Sequence, residues 1–162
     1  MTIHDLIFGT ASFLHNLFTA IWMGGLIVTA ISFLPALKES LGPGPQVKNV
    51  MTTFQKRQSV WVYISMAGLV LTGLMMSKHS AEFNALFSFG NPYSIMLSIK
   101  HILVIAMIGI TLYRVLILGR NPSTPAREKL NKQLLFINVA LAVSVLLTSG
   151  FVAALASPFS NG

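Results

Sequence analysis

The chain of 162 residues has no cysteine, which excludes disulfides, thiolate metal centres and thiol catalysis. Any metal would have to use His, Met or oxygen ligands. Charge is scarce as well: 9% of residues are charged and only four are acidic. None of those acids falls inside a long apolar run, so a proton-coupled transport path has no carboxylates to follow. The first five residues carry neither Lys nor Arg. The apolar stretch after them is far too long for the h-region of a secretory signal, so it is expected to stay in the mature protein. No internal repeat and no low-complexity tract is evident.

What remains is apolar. Hydrophobic residues make up 54% of the chain, well outside the usual balance of a soluble domain. A spanning helix needs about 20 mostly apolar residues, and four such helices are expected at about 6–37, 58–78, 93–118 and 126–156. Little is left for a soluble domain. The predicted fold is therefore all-α, a single transmembrane domain over 1–162 forming an integral membrane four-helix bundle. GPGPQ, Gly42 to Gln46, ends the first helix by joining permissive glycines to prolines without an N–H. The basic stretch VKNVMTTFQKRQSV, Val47 to Val60, suits an early helical start to the second. Thr124 and Pro125 have the N-cap and first-turn chemistry that opens the fourth. The Phe-rich stretch 81–94 suits a membrane surface.

A formal net charge of +7 raises the question of nucleic acid, but the positions of the charges answer it. Lys38, Lys48, Lys56 and Arg57 lie in or beside the first connection, and Arg114, Arg120, Arg127, Lys129 and Lys132 flank the third. The second connection has only Lys78, and the tails have none. By the positive-inside rule the first and third loops are cytoplasmic, with both termini on the outer (periplasmic or extracellular) side. The expected partner is the lipid bilayer, with some attraction to anionic lipid, and not nucleic acid.

This topology turns sequence position into depth, at about 1.5 Å per residue. His15, in HNLFTAIWMGG, is nine residues in from Leu6, and His101 is eight in from Tyr93. Both are expected at one level in the outer half of the bilayer. Counting back along the antiparallel helices brings Gly68 and the run Thr148, Ser149 and Gly150 to the same height. Two imidazoles facing a layer with little side-chain bulk are what a flat macrocycle between helices requires. Haem iron accepts axial His. Without a cofactor, the same residues read as a hydrogen-bonded core histidine and close helix packing. Lys100, a cation at depth with no acidic neighbour nearer than Asp5 or Glu82, suits a haem propionate or a quinone headgroup, or else snorkels to lipid phosphate. Arg114 near the inner end is expected to meet lipid phosphate. Asn138, Ser144 and Thr148 are candidates for hydrogen bonds between helices. Met75 and Met76 with His79 form a weaker soft-ligand set for copper, although methionines in an apolar chain usually serve packing. Gly24 and Gly25 lie below the histidine level and read as a packing notch.

LHNLFTAIWMGGLIVTAISFLPAL, Leu14 to Leu37, resembles the first helix of the copper resistance protein D (CopD) superfamily, with His, then Trp and Gly-Gly, then Pro-Ala-Leu. RQSVWVYISMAGLVLTGLMMS, Arg57 to Ser77, resembles its Leu-Thr-Gly helix. SIKHILVIAMIGITLYRVL, Ser98 to Leu116, resembles its helix with a Lys and a later Arg. The HemJ-type protoporphyrinogen oxidases are similar in having four helices, a first-helix His and a third-helix Lys, which match His15 and Lys100. These resemblances imply a redox or copper-handling membrane protein. His101, an addition to both patterns, points to bis-histidine haem. The leading expectation is a b-type cytochrome of a prokaryotic inner or plasma membrane. It would bind haem b between His15 and His101, with Lys100, Gly68 and Gly150 beside it, and transfer electrons to or from quinone or other redox-complex subunits. The alternatives are a HemJ-like oxidase, a CopD-like copper transporter and a structural or assembly subunit without cofactor.

Overall fold

The computed structural model describes residues 2–77, 87–119 and 124–156, and these are helical apart from short connections, with no strand among them. The four helices are α1, Ile3–Leu41; α2, Pro45–Ser77; α3, Pro92–Leu118; and α4, Pro125–Leu155. Each is long and apolar enough to cross a membrane.

The helix ends follow local chemistry. Thr2 and Asp5 form a reciprocal capping box, the Thr2 hydroxyl accepting from the Asp5 N–H at 3.2 Å and the Asp5 carboxylate from the Thr2 N–H at 2.7 Å, which satisfies two orphan donors of the first turn. α1 stops where Gly42 takes φ +69°, a left-handed conformation that favours glycine. Asn91 caps α3 by accepting from the Ser94 N–H at 2.6 Å, and Thr124 caps α4 by accepting from the Arg127 N–H at 3.3 Å; a proline follows each cap. α2 begins at Pro45, so the basic stretch Val47–Val60 does start the helix early, ahead of the apolar span expected from about 58.

α1 and α3 are not uniform. α1 has π turns at Ala20–Gly24 and Thr29–Phe33, and α3 ends in one at Tyr113–Leu118. The second π turn sits just ahead of Pro35, which has no N–H to give and whose ring would crowd the Ile31 carbonyl. A wider turn relieves both conflicts while the helix continues to Leu41. Hydroxyls also bond back into α1, Thr19 Oγ1 to the His15 carbonyl at 2.8 Å and Thr29 Oγ1 to the Gly25 carbonyl at 2.6 Å, competing with the regular ladder.

The chain divides into two compact units, Met1–Lys78 and His79–Gly162. In the first, α1 and α2 pack as an antiparallel pair. His15, Phe18, Trp22, Gly25 and Thr29 recur at three- and four-residue spacing on α1, one helical stripe. Four members of that stripe meet α2 in descending register: His15 at Thr72 and Gly73, Phe18 at Gly68, Gly25 and Thr29 at Gln58. In the second unit, α3 packs on α4. Its buried residues are Ser94, Ser98, Met107 and Thr111 on α3 and Leu135, Asn138, Ala142 and Val145 on α4. Polar side chains join these two helices: Asn138 Nδ2 donates to Thr111 Oγ1 at 2.9 Å and Arg114 Nε to Asn131 Oδ1 at 2.8 Å. Large apolar side chains such as Phe13, Leu71, Ile105 and Leu147 remain more than half exposed. Lipid is the solvent that tolerates such a surface.

Candidate functional site

The best-built polar arrangement in the first unit centres on His15. Its Nδ1 lies 2.9 Å from Thr72 Oγ1, and that oxygen lies 2.7 Å from the Gly68 carbonyl, one turn back along α2. A carbonyl oxygen can only accept, so the Thr72 hydroxyl donates its one proton to Gly68. Its oxygen must then accept from the histidine. His15 is thereby held with the proton on Nδ1, which in a neutral ring leaves the lone pair on Nε2. Thr72 is 5% exposed and the His15 ring beside it is half-buried. The ring lies over Gly73, where an added Cβ would touch Cε1 at 3.7 Å, an ordinary contact.

At Gly68, expected beside a cofactor, the space of the missing Cβ is taken by Phe18: a Cβ there would run into the aromatic ring. The glycine against His15 is Gly73, about one and a half turns further toward the C-terminal end of α2. Of the proposed packing notch, Gly25 adjoins Gln58, where an added Cβ would lie 3.0 Å from Nε2, while Gly24 has open space.

In the second unit His101 is half-buried on α3. The Phe87 ring meets it edge-on, the centroids 6.3 Å apart. Its Nδ1 is buried and lacks a well-formed hydrogen bond among the described residues; the Leu97 carbonyl, one turn earlier, makes only a weak approach. A buried imidazole nitrogen without a partner is costly, and it is the sort of atom a metal or ligand would satisfy. Lys100 is half-buried beside it and has no ion-pair partner among the described residues. Ser98, one turn before, accepts from the Ser88 N–H at 3.1 Å and donates to the Ser88 carbonyl at 3.0 Å, tying the segment before α3 to the helix. Gly150 is exposed, with nothing within 4 Å of an added Cβ.

Several expectations change. Arg114, expected to meet lipid phosphate, donates its Nε to the Asn131 amide oxygen on α4. Ser144 and Thr148 bond within α4, to the Ala140 carbonyl and to the Ser144 and Val145 carbonyls, each at 3.0 Å. Asn138 does bridge helices. Met75 and Met76 close α2, but His79 lies outside the described residues. Among the described residues no three His, Asp or Glu side chains gather as a metal cluster. No protein-family model, curated protein or solved structure matches the chain.

Thr72 is the functional partner that sequence reading passes over. A half-buried imidazole in an apolar helix needs an acceptor, and Thr72 supplies one of the few hydroxyls in the C-terminal half of α2.

Proposed function

We propose that the protein is a membrane b-type cytochrome in which His15 Nε2 would ligate haem iron. The observation that carries this reading is the chain from His15 Nδ1 to the Thr72 hydroxyl to the Gly68 carbonyl. Ligating histidines almost always donate their other ring N–H to a fixed acceptor, which sets the tautomer and aims the lone pair. His101 is the second proposed ligand, supported by the matching depth that its sequence position implies and by a buried nitrogen without a well-formed hydrogen bond among the described residues. Lys100 is proposed as the cation for a propionate. Haem, when bound, supplies one-electron chemistry; the protein's residues supply ligands, depth and charge. We further propose that both termini face the outer side of a prokaryotic inner or plasma membrane, on the strength of the basic first and third connections. Quinol or another subunit of a redox complex would then be the electron partner. The similarity of Leu14–Leu37 to the CopD superfamily is consistent with a redox membrane protein.

The test is the spin state of the oxidised protein. Two histidine ligands predict a low-spin spectrum in the wild type and a high-spin or haem-free one in His15→Ala and in His101→Ala. A spectrum unchanged in His15→Ala removes the reading.

A further inference from the structure

Toward the Gly42 connection, α1 and α2 are joined by the stacked rings of Phe33 and Phe54, whose centroids lie 4.4 Å apart. Two open cavities adjoin this stack. One, of about 400 Å³, is walled by Gly25, Val28, Thr29 and Trp61 and reaches Arg57. The other, of about 510 Å³, lies nearer the start of α2 and adds Asn49, Val50 and Thr53. Phe33, Phe54 and Arg57 belong to both.

Polarity is graded along this groove. Near the helix ends it offers an amide and a hydroxyl, and further in it is almost wholly apolar. Gln58 is held against α1, its Nε2 filling the space that Gly25 leaves and its Oε1 3.4 Å from Thr29 Oγ1. Arg57 is therefore the cation at the junction of the two compartments. It makes no ion pair or hydrogen bond among the described residues. No Asp or Glu occurs anywhere in α2, and Lys56 adjoins it. An unpaired guanidinium with five donors wants a phosphate or carboxylate.

We propose that this groove is a binding site for one membrane phospholipid with an anionic headgroup, its phosphodiester at Arg57 and an acyl chain along Val28, Phe33 and Trp61. The order from polar to apolar compartment runs from the helix ends inward, as headgroup and tail do in a bilayer. Free phosphate would leave the apolar compartment without an occupant. A zwitterionic headgroup brings its own cation and gains less from Arg57. The inference rests on the four helices crossing a membrane and is independent of haem.

The chain has two tryptophans. Trp22 is 1% exposed and Trp61, on the groove wall, is 58% exposed. The full chain is reconstituted in zwitterionic vesicles containing a minor fraction of acyl-brominated lipid, either anionic or zwitterionic, and fluorescence quenching is compared at equal mole fraction. A ratio between the two lipids cancels any fixed quencher, haem included. The expected preference for the anionic lipid is about fivefold, the usual contribution of one basic residue at an anionic headgroup, and it disappears in Trp61→Phe. Arg57→Gln brings the ratio near one. Val28→Phe keeps every charge but fills the apolar wall, and lowers quenching by both lipids. Lys129→Gln, outside the groove, leaves the ratio unchanged. Parity in the wild type, a preference that survives both groove variants, or equal loss in Lys129→Gln overturns the proposal. Competition by inorganic phosphate overturns the assignment to lipid.

Discussion

Replacing Thr72 with valine removes one oxygen and keeps the β-branched shape, so packing against α1 should be retained. The substitution leaves the His15 Nδ1–H without the acceptor now 2.9 Å away. The Gly68 carbonyl loses only a second interaction, because the helix ladder still serves it. An unpaired buried donor costs about 1–3 kcal/mol, while hydrogen bonds between membrane helices average about 0.6 and reach about 1.7 kcal/mol. The expected loss is therefore about 1–2 kcal/mol, measured by reversible unfolding in mixed micelles. A double-mutant cycle isolates the pair. In a His15→Phe background there is no N–H to strand, and Thr72→Val should cost nothing or stabilise slightly. In haem-loaded protein the same change should weaken haem retention about 10- to 100-fold, the usual effect of losing an outer-shell partner. Equal cost of Thr72→Val in the two backgrounds, or no cost in either, would refute the donor assignment.

Gly68→Ala must displace the Phe18 ring and should cost about 1–3 kcal/mol by overpacking, whereas Gly150→Ala meets open space and should stabilise by up to about 1 kcal/mol through helix propensity; unfolding midpoints of the two variants should move in opposite directions. Asn138 is fully buried and its Oδ1 has no partner among the described residues, so relief of that unpaired oxygen should offset much of the lost bond to Thr111 and Asn138→Leu should cost less than about 1 kcal/mol. Thr111→Val strips the amide of its described partner and should cost about 1–2 kcal/mol in the same assay.

The helices are legible in the sequence because lipid demands long apolar runs and because breaks and caps are short-range chemistry: the turn at Gly42, the cap at Thr124 and the proline after it all lie where their residues put them. The early start of α2 is legible only in its basic stretch, since that extension carries no long apolar run. The π turns of α1 leave no compositional mark beyond Pro35 and nearby hydroxyls. For the site, depth can be counted along a helix but rotation cannot. Counting therefore marks His15 as unusual without revealing that it turns to Thr72, and it brings Gly68 to the right helix without revealing that Phe18 fills its space. Ser144 and Thr148 illustrate the same limit, because a hydroxyl in an apolar helix can bond to its own preceding turn as readily as to a neighbour.

The central claim is that His15 is built to hold iron. The most direct measurement is the haem b content of protein purified from membranes of a haem-replete host. The account predicts about one haem per chain, in keeping with one pair of axial histidines per iron, with reduced b-type bands that are lost in His15→Ala and diminished in Thr72→Val. A well-folded wild type without haem bands, or a His15→Ala variant with full haem content, would contradict it.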